Sequence, residues 1–165
     1  MGKHFFSKVK VVLTAAIITV TFVTTANIAC AEKAREMTAI AFVIDAKMVV
    51  PEITILQAKE KIDSGEELVV IDVREPTEIL KTGYLPNALL IPRGILEFMA
   101  EPKFPKKNVP IIVYCKTGGR SLLAGHTLKK MGYANVMSMS GGFQAWSMME
   151  FPMNKMDLKA LSGGR

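Results

Sequence analysis

The stretch that most restricts the fold is Ile111-Ile112-Val113-Tyr114-Cys115-Lys116-Thr117-Gly118-Gly119-Arg120-Ser121. Its first four residues are apolar without interruption, three of them β-branched. That pattern describes a strand covered on both faces, since a half-exposed strand would alternate. Polarity then changes within one residue. Two glycines, an arginine and a serine lead into a helical pattern from Leu122, with Ser121 placed to cap it. A strand, a glycine turn and a helix start in direct succession form a device for holding an anion. Backbone N–H groups of the turn converge, and the helix end adds partial positive charge. Such a place favours Cys115 as a thiolate, with Lys116 and Arg120 adding positive charge.

The rest of the chain repeats the alternation that such a strand requires. Residues 54–63 carry a helical pattern closed by Ser64-Gly65. Residues 68–71 are a second continuous apolar run, ending in the polar turn Asp72-Val73-Arg74-Glu75-Pro76. A short helix over 77–81, a turn over 83–87, a strand at 89–91 broken by Pro92, and a helical piece over 94–100 follow. The proline- and lysine-rich residues 101–110 read as a surface loop. After the central strand come a helix over 121–131 ended by Gly132, a strand over 136–139, the turn Ser140-Gly141-Gly142 and a helix over 143–149. Strands alternating with helices predict an α/β fold with a mainly parallel sheet. Sites in such sheets form beyond the carboxyl ends of strands. Asp72-Val73-Arg74, Pro92-Arg93 and Cys115 all follow strands, so they are expected to meet in one pocket.

The N-terminus reads differently. Lys3, Lys8 and Lys10 precede an apolar run over 11–28, and Ala29-Cys30-Ala31 supplies a small-residue cleavage pattern. The expected organisation is a signal peptide over 1–31, a linker or extra edge segment over 32–47, one domain over 48–153 and a tail over 154–165. The alternatives are an uncleaved anchor, since the run is about as long as a membrane span, and a lipid on Cys30, which Asn27 disfavours. Export is the common expectation, to the periplasm if the source is Gram-negative. Removing 31 residues with three lysines and no acid takes the net charge from +6 to +3. That small excess, with no basic cluster interleaved with aromatics, argues against nucleic acid. A membrane is expected as a partner only if the run is retained. Cys115 is then the one cysteine left, with no disulfide partner in its own chain, and either inert or kept for its reactivity.

Taken together, Val70-Ile71-Asp72-Val73-Arg74-Glu75, Gly83-Tyr84-Leu85-Pro86-Asn87-Ala88, the Cys115–Ser121 turn and Gly141-Gly142-Phe143-Gln144-Ala145-Trp146 resemble the rhodanese family of sulfurtransferases in its single-domain form. Tyr84 stands where that family often has histidine, and Asn87 where it often has glycine. The resemblance implies a three-layer α/β sandwich with a five-stranded, mainly parallel sheet between helices. It also implies that Cys115 accepts sulfur from a small anionic donor such as thiosulfate. The sulfur then passes to cyanide, a thiol or a sulfur-accepting protein, with no cofactor and no metal. Phosphatases that look like the same fold have five residues between cysteine and arginine; here there are four, a cradle better matched to one sulfur atom than to phosphate.

Lys116, Thr117, Gly118, Gly119, Arg120 and Ser121 are thus the expected persulfide-binding loop, Lys116 as a lure for anions and Thr117 and Ser121 through turn and cap geometry. Asp72 and Arg74 read first as an ion pair or loop brace, and Arg93 as a residue of the pocket mouth or a brace. His126 reads as a helix-surface residue and Trp146 as a core anchor. The irregularly spaced methionines at 131, 137, 139, 148, 149, 153 and 156 read as core filling and surface rather than as copper ligands.

Overall fold

A computed structural model describes residues 38–156. Five strands, β1 (Glu52–Ile53), β2 (Val69–Asp72), β3 (Leu89–Leu90), β4 (Ile111–Tyr114) and β5 (Val136–Met139), form one sheet in the order β1-β5-β4-β2-β3. Every pairing is parallel. The two runs that lack alternation in the sequence, β2 and β4, are the inner neighbours, in register from Val69↔Ile111 to Asp72↔Tyr114. All four residues of β4 are buried, as expected of a strand with helices on both faces.

The helices are α1 (Ala39–Val49), α2 (Ile55–Asp63), α3 (Pro76–Thr82), α4 (Leu96–Lys103, after a 3-10 turn at Arg93–Ile95), α5 (Gly119–Lys130) and α6 (Gly142–Met148). On one face Ile71, Ile111 and Val113 pack with Leu96 and Ala100 of α4 and Ala124 and Leu128 of α5. On the other, Val70, Ile112 and Tyr114 pack with Ala58 of α2 and Phe143 and Trp146 of α6. The period of two along β4 divides the core between its faces. Trp146 is buried, and its Nε1–H donates to the Pro152 carbonyl at 3.0 Å, an anchor for the chain after α6. Among the described residues no helix is long and apolar enough to cross a membrane; the run over 11–28 and the cleavage pattern over 29–31 lie outside them.

Local chemistry fixes several boundaries. Thr54 and Gln57 form a reciprocal capping box on α2: the Gln57 N–H donates to Thr54 Oγ1 at 3.2 Å, and the Thr54 N–H to Gln57 Oε1 at 2.9 Å. Pro76 opens α3, where its fixed φ and missing N–H cost nothing. Asn87, at a position where a glycine was the resemblance's expectation, has φ 60°, the left-handed conformation that asparagine tolerates better than most residues.

Three expectations need correction. Residues 39–49 are neither linker nor edge strand but helix α1, and the compact unit begins at Ala39. The segment contains no residue that breaks a helix, and Ala46 and Val50 find a partner in Leu122 of α5. The loop expected over 101–110 begins late, because α4 continues through Pro102 to Lys103; a proline near a helix end forgoes only one bond. The tail is tied in at its start: Asn154 exchanges backbone hydrogen bonds with Tyr84 at 2.8 and 2.9 Å.

Candidate active site: the cysteine turn

Cys115 directly follows β4, and α5 starts four residues later. Gly118 is the N-cap of α5 with φ 119°, a conformation that strains any residue with a Cβ. This geometry turns the Gly118 N–H back onto Cys115 Sγ at 3.2 Å. It is the one amide hydrogen-bonded to that sulfur among the described residues, fewer than the ring of amides expected from the turn. Cys115 is 1% exposed and belongs to the apolar cluster of Ile71, Val73, Val113 and Ala124. The thiol therefore sits half in the core and half in the cradle.

The turn is braced from three sides. From below, Ser121 Oγ donates to the Gly118 carbonyl at 2.7 Å and meets Ser138 Oγ of β5 at 2.8 Å. Ser121 is therefore not the cap: the helix starts two residues earlier, and its hydroxyl lies buried inside the first turn. From the side, Phe143 and Gln144 of α6 donate their N–H groups to the carbonyls of Cys115 (2.8 Å) and Lys116 (3.0 Å). Gly142 makes this approach possible. Its φ is 56°, and a Cβ there would lie 2.5 Å from the Cys115 carbonyl oxygen. From the front, the Arg120 guanidinium makes a bidentate pair with Glu78 of α3 at 2.6 and 2.8 Å.

That pair decides what Arg120 can do. The guanidinium hydrogen bond holds the Glu78 carboxyl down at about pKa 2, and the carboxylate in turn raises Arg120. Two oppositely charged groups fixed in this way leave little net charge for a ligand. Lys116 is exposed and takes part in no ion pair among the described residues, so it is the free cation beside the cysteine. Thr117 is exposed at the tip of the turn, and Gly119 is half-buried at the start of α5.

Asp72 and Arg74 form the expected brace. Both are buried, at 0% and 1% exposure. Arg74 Nε donates to both Asp72 oxygens at 3.0 Å, and Nη2 donates to Asp72 Oδ2 at 2.6 Å and to the Gly83 carbonyl at 2.7 Å. Nη1 donates to Thr82 Oγ1 at 3.0 Å. The guanidinium lies over the ring of Phe143, 3.9 Å from its centroid, a cation–π contact that also spans from β2 to α6. Burial holds the phenol of neighbouring Tyr114 well above its ordinary range, and its oxygen accepts from the Leu85 N–H at 3.1 Å.

Beside the turn lies a cleft of about 600 Å³, lined by Arg74, Glu78, Lys81 and Thr82 on one side and by Lys116, Phe143, Gln144, Ser147 and Met148 on the other. Of the strand-end groups expected to meet in one pocket, only Arg74 lines this cleft; Cys115 and Asp72 do not, and the end of β4 is represented by Lys116. Arg74 and Lys116 share the cleft, but Arg93 does not. It points along its own helix, pairing with Glu97 at 2.8 Å and donating to Thr127 Oγ1 at 2.9 Å. Sequence reasoning missed Glu78, Ser138 and Gly142 as parts of the site. Glu78 read only as part of a short helix, 42 residues from Arg120, and nothing local pairs them.

A parallel α/β sheet with a cysteine turn between its central strand and a helix defines a class, and comparison names it. Residues 54–149 match the family model of the rhodanese-like domain. The chain belongs to the rhodanese-like domain family. YrkF of Bacillus subtilis, named as a candidate sulfur carrier protein, is 36% identical over 98 residues, which are 59% of this chain and 51% of YrkF. The chain thus spans about half the length of that relative. A sulfurtransferase of Allochromatium vinosum is 30% identical over 104 residues, 63% of this chain and 94% of the relative. The solved structure of RPA3614 from Rhodopseudomonas palustris, described as a protein of unknown function and possible tyrosine phosphatase, is similar with a TM-score of 0.68. It is 30% identical, over 72% of this chain and 96% of its own.

Proposed function

We propose that the chain is a sulfurtransferase that carries sulfane sulfur on Cys115, taking it from thiosulfate or a similar anionic donor and passing it to cyanide or a thiol. The observation that carries this reading is the Gly118 amide on Cys115 Sγ at the start of α5. In the first step the Cys115 thiolate attacks the outer sulfur of thiosulfate. The new S–S bond forms as the sulfur–sulfur bond of the donor breaks, and sulfite leaves with the bonding pair. In the second step cyanide attacks the terminal sulfur of the persulfide, thiocyanate leaves, and the Cys115 thiolate returns. Neither step needs a general base, because nucleophile and leaving group are both anions throughout. The amide and the helix end stabilise a charge that stays on sulfur, and Lys116 draws the donor to the mouth of the turn.

A second reading is a persulfide carrier that hands its sulfur to a partner protein and turns over slowly by itself. What supports it is the 36% identity over 98 residues to YrkF, named as a candidate sulfur carrier protein. Phosphate chemistry is the poorer fit. Four residues separate Cys115 from Arg120, and Glu78 occupies the guanidinium that an oxyanion would need.

Export through the basic and apolar N-terminus belongs to the same proposal. The test is intact-mass measurement after thiosulfate treatment, followed by cyanide. A gain of about 32 Da that cyanide removes as thiocyanate, repeatedly, supports the enzyme. One equivalent per chain without turnover supports the carrier, and no gain overturns both.

A further inference from the structure

Helix α1 is apolar on both of its sides. Val43, Ala46 and Val50 face α5, where they meet Leu122 and Leu123. Val50 sits so close to Gly125 that a Cβ on that glycine would lie 2.8 Å from Val50 Cγ1. On the outer side, at four-residue spacing, Ile40, Ile44 and Met48 form a ridge that is 71%, 56% and 82% exposed. Asp45 and Lys47 flank it by the angular step of the helix, and Lys47 is turned to Glu52 at 2.7 Å. An apolar stripe on a helix surface belongs against apolar surroundings, and among the described residues nothing covers this ridge.

The chain ahead of α1 indicates what does. Residues 11–28 contain no charged side chain, and a run of that length is close to the roughly 20 residues that span a bilayer core. Ten residues, 29–38, separate it from Ala39, and ten residues reach at most about 35 Å. With the run in a membrane, α1 is held near the bilayer surface at an effective concentration on the order of millimolar. A short ridge then suffices for contact. A second copy of the chain is a poorer occupant, because three side chains along about 12 Å of helix axis fall far short of the roughly 800 Å² per partner of a stable interface.

We infer that residues 11–28 stay on the chain as a membrane anchor and that the Ile40/Ile44/Met48 ridge of α1 lies in the headgroup–acyl boundary of the same bilayer. This places the anchored form ahead of cleavage after Ala31. It also sets the height of the cysteine turn above the membrane, because Val43 Cγ2 lies 3.9 Å from the Cβ position of Gly119 at the start of α5.

The test uses the full chain in vesicles of phosphatidylcholine and phosphatidylglycerol, prepared with plain or brominated acyl chains. The sequence has one tryptophan, Trp146, buried at 1% exposure, which supplies a constant background. The Met48→Trp variant adds a reporter on the ridge. Its added emission is expected to fall by about half or more in brominated vesicles, as suits an indole 5–10 Å into the boundary, and Ile44→Asp in the same variant is expected to restore it. Equal emission in both vesicle types overturns the inference. So does a chain that intact mass shows to begin at Glu32, or a detergent-solubilised dimer that Ile44→Asp dissociates.

Discussion

The carboxyl ends of β2 and β4 lie side by side, Asp72 opposite Tyr114, yet they handle charge in opposite ways. Beyond β2, the charged pair is buried and internally satisfied: Arg74 donates to Asp72, Thr82 and Gly83 and covers Phe143. Beyond β4, among the described residues, the thiol of Cys115 takes one amide and the exposed Lys116 pairs with no acid. Polar groups consumed by intramolecular bonds fix the shape of a site. Those left over are available to a ligand. The first end is therefore a frame and the second the proposed reaction centre, although both carry arginines at conspicuous places in the sequence.

Exchanging one side chain at each end sharpens this division most. Cys115→Ser keeps the volume, and its hydroxyl oxygen can accept the Gly118 amide. Sulfur loading and thiocyanate formation are expected to fall by at least about 10³-fold, as for loss of a nucleophile. The urea midpoint is expected to change little. A serine variant that still makes thiocyanate would remove β4 from the chemistry. Arg74→Met should behave in reverse, because it leaves the Asp72 carboxylate buried without its cation. Breaking such a pair costs about 3–5 kcal/mol, read from urea denaturation, and Asp72→Asn added to it should recover part of the loss. Equal stability of Arg74→Met and the parent would show that β2 is not the frame.

Lys116→Gln tests the free charge. The side chain is exposed and has no bonding partner among the described residues, so stability should stay within about 0.5 kcal/mol of the parent. The KM for thiosulfate is expected to rise about threefold or more at low ionic strength, and the difference should shrink near 1 M salt, where the Debye length is about 3 Å. A KM ratio that ignores salt would mean that Lys116 acts by shape rather than by charge.

How much of this was legible in the chain depends on how far apart the interacting residues lie. β2 and β4 are readable because burial on both faces leaves an unbroken apolar run, and the cysteine turn is readable because strand, glycines and helix are consecutive. The Asp72–Arg74 brace is two residues wide and could be named as a pair. The Glu78–Arg120 pair joins residues 42 apart, and Ser121–Ser138 joins residues 17 apart; neither has a periodic signal. Of the two readings of Arg93, brace and pocket mouth, the structure takes the brace: Glu97 one helical turn on and Thr127 of α5 hold its guanidinium. Helix α1 was ambiguous for a related reason. The unbroken apolar run Ala39–Ile44 has no period to distinguish helix from strand, and what settles it is the fit of Ala46 and Val50 on α5.

The smallest expected effect tests the link between the two ends, because Glu78 stands on α3 after β2 and holds Arg120 after Cys115. Glu78→Gln removes the charge but keeps an acceptor for the Glu75 N–H, so the cap of α3 survives. The carboxyl is held at about pKa 2 against an ordinary 4.5, chiefly by its hydrogen bond to Arg120. A depressed carboxyl contributes stability that is fully present above the ordinary value and is lost as pH falls through the lowered one. Arg120 remains protonated across this range. The parent should therefore exceed Glu78→Gln by up to about 1 kcal/mol at neutral pH, a half-exposed pair being worth no more. The gap should hold to about pH 5 and close as the pH falls from 4.5 toward 2. A gap that persists at pH 2 would assign the role of Glu78 to its shape. Released from the carboxylate, Arg120 also adds a second free cation beside Lys116, so Glu78→Gln should lower the KM for thiosulfate slightly while Lys116→Gln raises it. If both variants raise it, the Glu78–Arg120 pair serves to hold the turn in place, and the frame extends from β2 into the reaction centre itself.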